Sequence, residues 1–180
     1  LPKNIEGLER DLGKYRITYD TWFKESTLHK NGETARIIEL LKQSGHTYET
    51  EGALWFKATD FGCDKDFVLV RANGVPTYVV PDIAYHYNKL VTRGFDKAID
   101  VLGADHHGYV PRLKGALTAL GVDADKLDVV LMQMVRLVRD GEVIKASKRS
   151  GKAITLVTLL DEVPIDAARF FFNLREPNSH

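Results

Sequence analysis

The spacing of apolar positions changes character along the chain. Residues 1–24 show no clear period, although Trp22 and Phe23 are placed to cover a core edge. Thr34, Ile37, Ile38 and Leu41 recur at helical spacing and predict a helix from about Glu33 to Ser44, with Asn31 to cap it and Gly45 to end it. Residues 46–80 read as β: Ala53-Leu54-Trp55-Phe56 is a short apolar run, Asp60 to Asp66 is turn-rich, and Phe67–Val70 and Thr77–Val80 flank Asn73-Gly74, which predicts a hairpin.

From Pro81 helix and strand alternate. Ile83, Tyr87, Leu90 and Val91 line one helical face that Gly94 closes, and Ala98–Leu102 reads as a buried strand ending at Gly103. Leu113, Ala116, Leu117 and Leu120 mark the next helix, with Pro111 in its first turn and Gly121 past its end. Asp128–Met134 is again β. Strand, helix, strand in that order implies a βαβ crossover and a parallel sheet. Val135–Ile144 then reads as a hairpin turning at Asp140-Gly141. Two helices close the chain: a stripe of Leu156, Leu159, Leu160 and Val163, stopped by Pro164, and a stripe of Ala167, Phe170, Phe171 and Leu174, with Asp166 as cap. No internal repeat or low-complexity segment interrupts this order.

Composition narrows the class. The 180 residues suit one domain with a small appendage, and 44% apolar with 28% charged residues is a globular balance. With 25 basic and 25 acidic side chains the net charge is zero, so any nucleic-acid contact is local. The single cysteine, Cys63, excludes an internal disulfide framework and fits a reducing, cytoplasmic setting. No apolar run approaches the roughly 20 residues that span a bilayer, and no signal peptide is recognisable. The start at Leu1 without methionine, and the end shortly after a helix, read as an excised fragment of something longer.

Candidate chemistry concentrates in three places. In open α/β sheets ligands bind beyond the carboxyl ends of strands. Gly103-Ala104-Asp105-His106-His107-Gly108 follows the first such strand: glycine admits close backbone approach, and Asp105 can accept hydrogen bonds from a ribose diol or, equally, cap the next helix. Two adjacent histidines without third and fourth ligands do not make a zinc site, and no metal is assigned. Tyr78 and Asp82 bracket a strand-to-helix junction, where the carboxylate either grips a cationic substrate or serves as an N-cap. Lys145-Ala146-Ser147-Lys148-Arg149-Ser150-Gly151 sets two amines and a hydroxyl in one loop, suited to a polyphosphate; taken alone, such a loop is more readily a solvated basic turn.

The ordered set of segments resembles the catalytic domain of arginyl-tRNA synthetase, a class I aminoacyl-tRNA synthetase, in its bacterial form. The segments are Tyr19-Asp20-Thr21-Trp22 with Glu25-Ser26, Glu51–Trp55, Pro76-Thr77-Tyr78 through Asp82–His86, Gly103–Tyr109, Lys145–Gly151 and Asp166–Phe172. The Lys145–Gly151 stretch is similar to the class I Lys-Met-Ser-Lys-Ser loop, with Ala146 for methionine and Arg149 for the last serine. The class I His-Ile-Gly-His element does not occur in these residues.

The resemblance implies an α/β fold: the second half of a class I Rossmann-like nucleotide-binding domain, with residues 46–80 as a β-rich insertion and 155–176 as closing helices. It leaves the His-Ile-Gly-His half and the anticodon-binding domain outside residues 1–180. The implied activity is ATP-dependent activation of arginine and its transfer to tRNA(Arg), with magnesium accompanying the ATP and no tightly bound cofactor. It implies that Lys148, Lys145 and Ser147 serve catalysis. Gly103, Asp105, His107, Met134, Val135, Lys145 and Lys148 would meet ATP. Tyr78, Asp82 and His106 would hold arginine, although His106 stands where family members often have glutamine. The fragment alone is expected to be inactive. The alternatives are a non-catalytic nucleotide- or tRNA-binding module, or another class I synthetase.

Overall fold

A computed structural model describes residues 2–143 and 155–179, and the chain divides into two compact units, Leu1–Trp22 with Gln133–His180 and Phe23–Met132. The first unit opens with α1 (Pro2–Lys14), where the sequence predicts no regular element. Ile5, Leu8 and Leu12 carry a helical spacing that Gly7 and Gly13, poor helix formers, dilute.

In the second unit α2 (Ser26–Lys30) runs into α3 (Glu33–Gln43). Asn31 closes α2 instead of capping α3, whose N-cap is Gly32 in the left-handed region at φ 74°. Ile37 and Leu41 point from α3 into the core, fully buried. Strands β1 (Thr47–Thr50), β2 (Ala53–Phe56) and β3 (Phe67–Val70) form an antiparallel sheet in that order.

The predicted hairpin partner Thr77–Val80 is not a strand. A single bridge, Val70 to Pro76, and a bond from Thr77 N–H to Leu69 C=O at 2.8 Å end the pairing. Helix α4 (Val79–Tyr87) starts immediately afterwards. Burial of Val80, Ile83 and Ala84 on one face overrides the β-propensity of Thr-Tyr-Val-Val, and Pro81 sits in the first turn, where its missing N–H has no partner to lose. The helix continues as a π-turn, Asn88–Thr92, which carries Leu90 into the core and leaves Val91 exposed.

Strand β4 (Ala98–Gly103), helix α5 (Val110–Ala119) and strand β5 (Leu127–Met132) form the expected parallel unit, with Ala98 opposite Leu127 and Gly103 opposite Met132. Strand β4 is not buried on both faces, however. Ala98 is in the core, while Ile99 and Val101 are 62% and 63% exposed. The core runs through Ile37, Phe56, Leu69, Ile83, Leu117 and Leu127.

The remainder of the first unit carries a short hairpin, β6 (Val138–Arg139) and β7 (Glu142–Val143), turning at Asp140-Gly141, both with positive φ as a tight hairpin turn requires. Helix α6 (Leu156–Glu162) is capped by Thr155, whose hydroxyl accepts from Thr158 N–H at 3.2 Å. Helix α7 (Ile165–Asn173) begins after Pro164. Asp166 lies inside its first turn and does not cap it; its carboxylate pairs with Arg16 at 2.7 Å. The stripe of Phe170, Phe171 and Leu174 faces solvent, and Ala168 is the buried residue of α7. Arg169 ties α7 to the chain start, donating to Tyr15 C=O at 2.9 Å with its guanidinium over the Tyr15 ring.

Candidate functional site

The carboxyl ends of β4 and β5 are level, because the parallel register pairs Gly103 with Met132. The chain leaves β4 through one 3-10 turn, Ala104–His106, and then enters α5. Asp105, His106 and His107 are exposed on that connection. A methyl group on Gly103 would lie 2.5 Å from Asp105 Oδ1, so the bare glycine makes room for the carboxylate to fold back over the strand end. Neither the turn nor α5 receives a side-chain cap, so Asp105 does not serve as the helix cap its position suggests.

Asp82 is likewise not an N-cap. Tyr78 occupies the N-cap position of α4, 83% exposed, and Asp82 follows one turn later, so the two side chains share a face. Tyr109, the residue before α5, donates its hydroxyl to Asp82 Oδ2 at 2.5 Å. Burial first, and then this bond to a carboxylate, push the Tyr109 hydroxyl pKa well up, which keeps it a donor. The His106 and Tyr109 rings form a T-shaped pair with centroids 6.3 Å apart. The structure thus brings Asp82 and His106 together around Tyr109, a residue the sequence reading did not single out.

A largely buried ionic cluster joins α4 to β4. His86 Nδ1 is 2.7 Å from Asp82 C=O, and its Nε2 is 2.5 Å from Asp100 Oδ2. Lys89 Nζ donates to Asp100 Oδ1 at 2.8 Å and sits over the Tyr85 ring, which stacks on Phe23. Burial alone would raise the Asp100 pKa, but the bonds from His86 and Lys89 outweigh it and hold the carboxyl down to about 2. Two signals foretell this cluster: an acid inside the apolar run Ala98–Leu102, and His86 and Lys89 three apart on a helix facing it.

Met134 and Val135 follow β5, in the other unit, and both are exposed. Lys145, Ser147 and Lys148 lie outside the described residues. Among the described residues no group of three or more His, Cys, Asp and Glu converges to hold a metal, and no helix is long and apolar enough to cross a membrane.

Residues 10–178 match the family described as tRNA synthetases class I (R), catalytic domain. An arginine–tRNA ligase of Caldanaerobacter subterraneus is 60% identical over 99% of the chain and 32% of its own length; one from Acetivibrio thermocellus is 53% identical over all of the chain and 32% of its own. The chain therefore spans about a third of these relatives. A crystal structure described as an arginyl-tRNA synthetase, from Campylobacter jejuni, superposes with a TM-score of 0.92 at 35% identity, over 99% of this chain and 38% of that one. The arginyl-tRNA synthetase of Thermus thermophilus, at 22% identity and a TM-score of 0.73 over 95% of this chain and 34% of its own, shares the fold.

Proposed function

The chain belongs to the family of class I (R) tRNA synthetase catalytic domains, and from that premise we propose that it forms part of the site at which an arginine–tRNA ligase activates arginine. Arginine and Mg–ATP are the substrates. The arginine carboxylate attacks the α-phosphorus of ATP, the bond to the β-phosphate oxygen breaks, and arginyl-adenylate and pyrophosphate result. The arginyl group then passes from the adenylate to the terminal adenosine of tRNA(Arg), in the cytoplasm, and AMP leaves.

Asp82 is the guanidinium acceptor in this reading. A planar, five-donor guanidinium suits a bidentate carboxylate grip in a way that an ammonium does not. Tyr78 and His106 complete that pocket. Gly103, Asp105 and His107 face the adenosine at the end of β4, and Met134 and Val135 offer backbone groups to the adenine edge. Lys148, supported by Lys145 and Ser147, meets negative charge as pyrophosphate departs.

The observation that carries the reading is that the Asp82 carboxylate is not used as a helix cap, stands on the Tyr78 face of α4 and is bonded by Tyr109 at the start of α5. The test is Asp82→Asn in a full-length arginine–tRNA ligase carrying these residues. Hydrogen bonds to charged groups contribute about 1.5–3 kcal/mol, so KM for arginine should rise roughly ten- to a hundredfold. KM for ATP should hold. An unchanged KM for arginine would remove Asp82 from the site.

A further inference from the structure

We propose that Tyr109 is a positioning residue for arginine selection: its hydroxyl fixes the Asp82 carboxylate through one lone pair of Oδ2, leaving Oδ1 and the other Oδ2 lone pair presented to the guanidinium. This rests on the reading that Asp82 receives that group. A side chain half-exposed at the start of a helix has free rotamers, and a carboxylate that turns freely cannot offer a fixed plane to a planar fork. In this fold Asp82 is held at both ends. Its backbone carbonyl accepts from His86, which is anchored in turn by the largely buried pair Asp100 and Lys89. Its side chain accepts from Tyr109, which reaches across from the start of α5, 27 residues away.

The accounting of lone pairs favours a pre-set acceptor. An ionised carboxylate has about four lone-pair sites. Tyr109 occupies one on Oδ2, and no other side chain among the described residues bonds to the carboxylate. Oδ1 and the second site on Oδ2 remain for two parallel N–H donors. The phenol ring also packs against the His106 ring at an interplanar angle of 78°, so the residue that orients the acid also contacts the third member of the pocket. Orientation fixed before binding lowers the ordering cost on binding, and it matters more for a planar ligand than for a spherical ammonium.

The experiment measures arginine-dependent ATP–pyrophosphate exchange in a full-length arginine–tRNA ligase carrying these residues, with Tyr109→Phe, Asp82→Asn, the double variant and Asp82→Glu. Tyr109→Phe keeps the ring and should raise KM for arginine about tenfold, with KM for ATP and the rate at saturating arginine changed less than about twofold. In the Asp82→Asn background the same change should add less than about twofold, since the hydroxyl acts through the carboxylate. Asp82→Glu, charged but displaced from Tyr109, should also lose arginine affinity. The proposal is overturned if Tyr109→Phe leaves KM for arginine unchanged, if it raises the KM values for arginine and ATP alike, if its effect persists undiminished in the Asp82→Asn background, or if Asp82→Glu matches the parent. An Asp82→Asn enzyme with normal arginine KM would instead overturn the underlying reading, while a high KM there beside a silent Tyr109→Phe would overturn the Tyr109 assignment alone.

Discussion

Gly103 is where a single methyl group should be felt most directly. A Cβ at this position would sit 2.5 Å from Asp105 Oδ1, closer than non-bonded atoms approach. Asp105 is exposed, so its carboxylate can swing away at small cost in stability. Gly103→Ala should therefore leave the melting midpoint nearly unchanged. It should weaken ATP use in a full-length ligase by about tenfold in KM, the loss of one charged hydrogen bond. A normal ATP KM would show that Asp105 does not face the nucleotide. Lys148 lies outside the described residues, and its prediction rests on the Lys-x-Ser-Lys pattern: Lys148→Ala should slow adenylate formation about a hundredfold to a thousandfold while arginine KM holds, since the contact grows only in the transition state. Pre-steady-state adenylate formation within a few-fold of the parent would reduce the loop to a solvated basic turn. At this scale the places of Asp82 near the start of a helix, and of Asp105 and His106 just past a strand, were legible from the turn and period signals around them. Tyr109 was not, because its bond to Asp82 depends on how two helices pack and leaves no trace in local spacing.

Helix α4 shows what element-level reading can and cannot reach. The apolar positions Ile83 and Leu90 were legible as a core face, yet Thr77–Val80 carried a β signal that burial of Val80 overrode. The helix is joined to β4 through the Asp100 cluster, and that joint should have a pH signature. The folded-state pKa of Asp100 lies at about 2, below the ordinary carboxylate value. Its contribution is therefore fully present above about pH 4 and is lost as pH falls from about 4 towards 2, on the order of 2 kcal/mol. Urea midpoints of the chain and of Asp100→Asn should differ most near neutrality and converge by about pH 2, as the parent's carboxyl is protonated. A difference that stays constant across that range would mean that the cluster is held by packing and not by charge. The parallel pairing of β4 and β5 was legible from the strand–helix–strand order, and its one-sidedness was not. Ile99 and Val101 look like core residues in sequence, because a strand bound for burial on both faces reads the same whether or not both faces are covered within the chain.

That open face bears on the behaviour of the 180 residues by themselves. Parallel strands are ordinarily covered on both faces, yet Ile99 and Val101 stand more than half exposed on β4, and the chain spans about a third of the ligases it matches. Fully burying one such side chain is worth about 1.5–3 kcal/mol, so two adjacent ones on a strand supply a real drive to find cover. The class I His-Ile-Gly-His element is also not among these residues. The 180-residue chain expressed alone should consequently give no arginine-dependent pyrophosphate exchange above a Lys148→Ala control, and it should self-associate in sedimentation. Replacing Ile99 and Val101 together by threonine keeps β-branching but removes apolar surface, so it should shift the chain towards monomer. The same double change in a full-length ligase should lower the melting temperature, because there the face is expected to be covered. Two results would contradict this account: exchange activity from the 180 residues alone, or a double variant that leaves both association and the melting of the full-length enzyme untouched. The second would mean that the β4 face stays open to water in the intact enzyme as well.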